Sequence, residues 1–138
     1  MSSFTSPLIV EFLGANRWRL AESFEYHLGE LGSGTVIRVP AGFKTDFASV
    51  PRLLWPLLPP TGSYGKAAVL HDYLYATQQI AGASITRARA DEVFLEAMAV
   101  LGVGWLKRYT VYWGVRQGGW LAWNQHRRHL QHATKSAS

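Results

Sequence analysis

The sequence predicts an α+β fold: an N-terminal antiparallel sheet, a proline-rich connector and three packed helices in one domain, 1–138. Three observations predict it. Short runs of alternating apolar and polar residues, separated by turn residues, fill the chain from Leu8 to Val39, as in a sheet with one buried face. Pro51, Pro56, Pro59 and Pro60 then rule out a long regular helix. From Gly65 onward, apolar residues recur at helical spacing.

Taken in order, residues 1–6 are small and polar and are expected to fray. Leu8–Phe12 is the first strand candidate, and Gly14-Ala15-Asn16 a turn before Arg17–Leu20. Phe24, Tyr26 and Leu28 alternate with Glu25 and His27, and Gly32-Ser33-Gly34 leads into Thr35–Val39. This is the pattern of a meander of three or four strands, with His27 facing solvent. The connector carries Leu53, Leu54, Trp55, Leu57 and Leu58. These five are costly to leave in water, so the segment is expected to lie over the helix that follows. The alternative is an apolar rim that touches lipid or a partner.

The first helix is expected over about Gly65–Gln78, and a second over about Thr86–Leu101 with Ser84 or Thr86 as its N-cap. On the second, Ala90, Val93, Phe94, Ala97, Met98 and Leu101 form one apolar stripe, with Arg87, Glu92 and Glu96 largely off it. A third helix begins near Gly104 and carries Trp105, Tyr109, Tyr112 and Trp113, with Trp120 and Trp123 beyond Gly118-Gly119. The spacing of these aromatics fits the core or a subunit contact through residues 104–123. Lys107, Arg108 and Arg116 among them also fit a lipid headgroup layer. His126, His129 and His132 recur every third residue, a spacing that suits either a metal or a solvated basic helix end. Residues 130–138 are expected to be flexible.

Composition narrows the function classes. With 48% hydrophobic and 17% charged residues the chain is globular rather than disordered. The absence of cysteine excludes disulfides and thiolate metal sites. No apolar run reaches the ~20 residues of a membrane-spanning helix, and nothing at the N-terminus resembles a signal peptide. A net charge of +5 points to acidic partners such as phosphate groups or anionic lipid, and no motif specific for nucleic acid is present.

Chemistry concentrates in Ala67–Tyr75, where His71 and Asp72 are followed by Tyr75, and in Ala90-Asp91-Glu92-Val93-Phe94 some twenty residues on. At ~100° per residue, Ala68, His71 and Tyr75 share one helix face and Asp72 lies a quarter-turn away. Ionisable groups among apolar neighbours must be paired or hydrated. His71 can serve as a base, Asp91 as the carboxylate that orients it, Tyr75 as a donor to Asp91, and Asp72 as a group facing a cation. The same residues also suit a structural network tying two helices together. His-Asp metal phosphohydrolases need further His and Asp ligands on separate helices, and this chain offers only His27 and Asp91.

The run from Val39 to Gly119, with VPAGFKTDFASVPRLLWPLLPP, AAVLHDYLY, TRARADEVFLEAM and VYWGVRQGG, resembles a phage and prophage family known as domain of unknown function 1353. Within it, HDYLY followed by ADEVF resembles the His-Asp-x-x-Tyr helix and the later Asp helix of phospholipase A2 folds, especially the compact parvovirus form. That resemblance implies a hydrolase in which His71 activates water, Asp91 and Tyr75 orient it, and Asp72 binds calcium. It departs from those enzymes in lacking their Gly-rich calcium loop, for which Asp46 is a substitute ligand or a loop cap. The phage resemblance also implies synthesis in a host cytoplasm and association with a virion. It leaves open a non-enzymatic role in a tail or particle, among phage structural proteins.

Overall fold

The computed structural model describes residues 3–4, 10–14, 17–28, 35–45, 50, 53–54 and 65–137. Its architecture is α+β, with antiparallel strands first and helices after. Six N-terminal strands, β1 (Ser3–Phe4), β2 (Val10–Gly14), β3 (Arg17–Leu20), β4 (Phe24–His27), β5 (Val36–Val39) and β6 (Lys44–Thr45), form two small sheets ordered β1-β4-β5 and β2-β3-β6. The expected single meander is thus split in two, and two-residue strands at either end complete it.

Alternation decides which side faces inward. Phe24 pairs with Val39 and Tyr26 with Ile37 in the β4–β5 register, and all four are buried while Glu25 and Arg38 point away. The Tyr26 hydroxyl reaches across to Glu96 Oε1 at 2.7 Å, joining this sheet to a helix seventy residues on. The other sheet is less covered: Phe12 and Trp18 stack on each other at 4.7 Å, and Phe12 is exposed. Its contribution to the site is β6, which lies antiparallel to β3 with Thr45 opposite Trp18.

Helix α1 (Gly65–Thr77) is the centre of the molecule. Every residue from Ala67 to Asp72 is buried, so this helix has no solvent face over its middle two turns. Helix α2 (Arg87–Val100) starts where the sequence places it: the Thr86 side chain accepts from the Arg89 backbone N–H at 3.1 Å. Its stripe of Ala90, Val93, Phe94, Ala97 and Met98 is buried as expected. A tight hairpin, β7 (Gln79–Ile80) and β8 (Ala83–Ser84), joins α1 to α2. The chain leaves α1 through Gln78 at φ 55°, whose side chain donates to the Trp123 carbonyl at 2.8 Å.

The stretch expected as one helix from Gly104 is two: α3 (Trp105–Gly118) and α4 (Trp120–Ala137), which meet at Gly119. The aromatic spacing on α3 was consistent with core packing, and there the structure corrects the expectation. Val111 and Val115 are the fully buried residues of α3, whereas Trp105, Tyr109 and Trp113 are exposed and Tyr112 is half-buried. Trp123, on α4, is the tryptophan that enters the core, edge-on to Tyr75 at 5.1 Å. In the connector, Leu53 is 90% exposed, and Leu54 packs against the core beside Gly114 of α3. Trp55, Leu57 and Leu58 lie outside the described residues.

Candidate active site around Asp91

The site is built from facing positions on α1, α2 and α3. His71 and Tyr75, one turn apart on α1, both point at Asp91 in the second turn of α2. His71 Nε2 lies 2.6 Å from Asp91 Oδ1, and the Tyr75 hydroxyl donates to the same oxygen at 2.7 Å. Arg116, near the end of α3, donates to Oδ2 at 2.9 Å, and the Arg87 guanidinium stands 3.5 Å from that oxygen. His71, Tyr75 and Asp91 are all 0% exposed. The His71 ring stacks on Phe94 at 4.4 Å and meets the tilted Tyr75 ring at 4.3 Å.

Electrostatics follow from this packing. Burial alone pushes the Asp91 carboxyl up, but the hydrogen bond and charge of His71, with Tyr75 and Arg116, outweigh it and hold the group below its usual value. Tyr75 moves the other way. Burial first, then the neighbouring Asp91 charge, raise its hydroxyl far above the usual value, so it remains a donor. With Asp91 ionised and accepting at both oxygens, the proton between it and His71 belongs to Nε2. Two guanidinium groups beside Oδ2 also offset the Asp91 charge.

Arg87 has a second task. Its two terminal nitrogens donate to the carbonyls of Val115 and Arg116 at 3.1 Å each, tying α2 to the end of α3, where the Val115 carbonyl also accepts from the Gly119 N–H at 2.8 Å. A side chain added at Gly119, where α3 gives way to α4, would stand 2.5 Å from the Tyr75 hydroxyl. The helix junction therefore closes directly over the Tyr75–Asp91 bond.

Asp72 faces a different environment. It is buried and accepts a hydrogen bond from the Thr45 hydroxyl on β6. It also lines a cavity of about 290 Å3 whose wall includes Arg17, Lys44, Gln125, His126 and His129. His71 is not on that wall. His126 and His129 meet at the cavity as residues one helical turn apart, yet no group of three His, Asp or Glu able to hold a metal occurs among the described residues. Calcium takes six to eight oxygens. The described residues at this cavity offer one carboxylate, a hydroxyl and an amide, beside two cations, and that set does not fit calcium by itself. Asp46, the other expected ligand, lies outside the described residues.

The geometry thus brings His71, Asp91 and Tyr75 together as the sequence implied, and sets Asp72 on a separate, polar side. Residues 18–115 match the family described as Protein of unknown function (DUF1353). The chain belongs to that family. The DUF1353 match encloses His71, Asp72, Tyr75 and Asp91, and ends one residue before Arg116. The chain is also 35% identical over 83 residues to an uncharacterized protein, y4jT, of Sinorhizobium fredii. That match covers 59% of this chain and 23% of the relative, so the matched segment spans about a quarter of that relative's length. No solved structure matches it.

Sequence reasoning missed three members of the site. Arg87 stands four residues before Asp91, a helix-pair spacing that was legible. Arg116 and Thr45 carry no such local signal, since tertiary packing alone brings them in.

Two outcomes follow. Because the Asp91 value is depressed on folding, its contribution to stability is fully present above the ordinary carboxylate value near pH 4 and is lost as pH falls through the folded value. Urea midpoints should therefore decline steadily below about pH 4, and Asp91→Asn should flatten that part of the profile. Gly119→Ala should push Tyr75 off Asp91 and cost about 1–3 kcal/mol in urea melts. An unchanged midpoint would show that the junction has room to spare.

Proposed function

We propose that the chain is a phage-encoded hydrolase that cleaves a lipid ester with water activated by His71, in the manner of phospholipase A2. One observation carries this reading: Asp91 Oδ1 receives both His71 Nε2 and the Tyr75 hydroxyl, the arrangement that the His71-Asp72-x-x-Tyr75 and Asp91 pattern implies. In such a centre Nδ1 of His71 takes a proton from water as the oxygen attacks the ester carbonyl carbon. The tetrahedral intermediate then expels the alcohol, which receives that proton back from His71. Asp91 holds the imidazole in the required tautomer and stabilises the imidazolium formed during attack, and Tyr75 and Arg116 keep Asp91 fixed. The cavity at Asp72, with Arg17 and Lys44 on its wall, suits a substrate that carries phosphate beside the ester. No step is assigned to calcium, since the described donors do not make a site for it.

A second reading has its own observation, the complete burial of the His71 ring. On that reading the Asp91 network is a lock between three helices in a non-enzymatic virion or tail component, and no substrate reaches the imidazole.

The two separate in one assay. Fatty acid release from phosphatidylglycerol vesicles should be seen with the native chain, run both with calcium and with a chelator. It should fall about a hundredfold or more in His71→Ala and in a folded Asp91→Asn protein. No release under either condition, or undiminished release by both variants, would leave the lock as the account of this site.

A further inference from the structure

Helix α3 and the first turn of α4 share one apolar surface that remains exposed among the described residues. Trp105, Tyr109 and Trp113 follow one another at four-residue spacing along α3, with Leu106 beside them. Trp120 and Leu121 continue the surface past Gly119. Exposure reaches 67% at Trp105, 68% at Leu106 and 61% at Trp113, while α3 buries Val111 and Val115 on its other side. Single exposed apolar residues are ordinary, but a run of six large ones on adjoining elements marks a docking surface.

Charge says what docks there. No Asp or Glu follows Glu96 in the sequence, whereas Lys107, Arg108, Arg116, Arg127, Arg128 and Lys135 do. This last third of the chain carries six positive charges against a total of +5, so the remainder is slightly acidic. A second copy of the chain would fit poorly, because a two-fold contact through this face would bring two acid-free, cationic segments together. Exposed leucines within the surface do not suit a nucleic acid groove, which is read by charged and stacking groups. Tryptophan and tyrosine have an apolar body and a polar edge, the property that seats them at the boundary between lipid headgroups and acyl chains.

We infer that this face docks on an anionic lipid bilayer, with Trp105, Leu106, Trp113, Trp120 and Leu121 at the acyl boundary and the cations of the same segment, apart from the Asp91-bound Arg116, near lipid phosphates. The chain lies on the surface and does not cross it, for no helix among the described residues is long and apolar enough to span a membrane. This docking needs neither His71 nor Asp91 and does not rest on the catalytic reading.

The test is flotation of the full chain with phosphatidylglycerol–phosphatidylcholine vesicles and with phosphatidylcholine alone, followed by tryptophan fluorescence. Binding should require the anionic lipid, weaken as salt is raised, and shift tryptophan emission to shorter wavelength. Trp105→Ala combined with Trp113→Ala removes only exposed groups, so circular dichroism should be unchanged while binding falls roughly tenfold or more. Absence of binding to anionic vesicles, or equal binding by the double variant, would overturn the inference. So would a dimer in vesicle-free buffer that the same double variant dissociates, since the occupant would then be a second copy.

Discussion

Burying the Asp91 carboxylate costs several kcal/mol unless both its charge and its oxygens are met, and meeting them draws on three helices. His71 and Tyr75 come from α1, Arg87 from α2 itself and Arg116 from α3. Arg87 lies beside Asp91 on the same helix, whereas His71 and Tyr75 reach it only when α1 packs on α2, and Arg116 only when α3 does, so the network completes with the helix packing. Around it the apolar groups are arranged to keep water out: Phe94 lies flat on the imidazole and Trp123 stands edge-on to Tyr75. Low polarity strengthens each hydrogen bond there and makes loss of any one partner expensive. Breaking such a pair by removing one member typically costs about 3–5 kcal/mol.

The same constraint divides the two neighbouring ionisable groups, His71 and Asp72, on helix α1. His71 and Asp72 are adjacent, yet a helix turns them a quarter-circle apart. One meets the dry interior and Asp91; the other meets Thr45 and a polar cavity. Sheet and helices are coupled at that second position, because Thr45 owes its place to the pairing of β6 with β3. The Tyr26–Glu96 bond makes a second tie between strands and helices, on the far side of α2. A catalytic role and a structural role for Asp91 make the same demand on packing, and differ in whether Nδ1 of His71 ever meets water.

Much of this was legible in the sequence, and the limits are physical. Alternation showed which residues of β4 and β5 face inward, and Thr86 announced the start of α2. His71, Tyr75 and Asp91 could be grouped because two of them sit one turn apart and the third lies on the next apolar helix. Helical spacing also showed that Trp105, Tyr109 and Trp113 share a face. It could not show that the face stays outside, because periodicity gives the side of a helix and not what lies against it. Helical spacing runs on past Gly118-Gly119, so neither the break into α3 and α4 nor the closeness of Gly119 to Tyr75 was legible. Arg116 joins Asp91 across twenty-five residues, and Lys44–Thr45 is too short a strand to leave an alternating signature.

The central claim is that an ionised Asp91 accepts a proton held on Nε2 of His71. Long-range nitrogen–proton NMR of the imidazole at neutral pH tests it most directly, since the two ring nitrogens have well-separated shifts when one is protonated and the other is not. The account predicts a protonated Nε2 and an unprotonated Nδ1 in the native chain. A protonated Nδ1 with Nε2 as acceptor would contradict it, for Asp91 would then be the donor and could be neither the charged hub of the helices nor the group that orients His71.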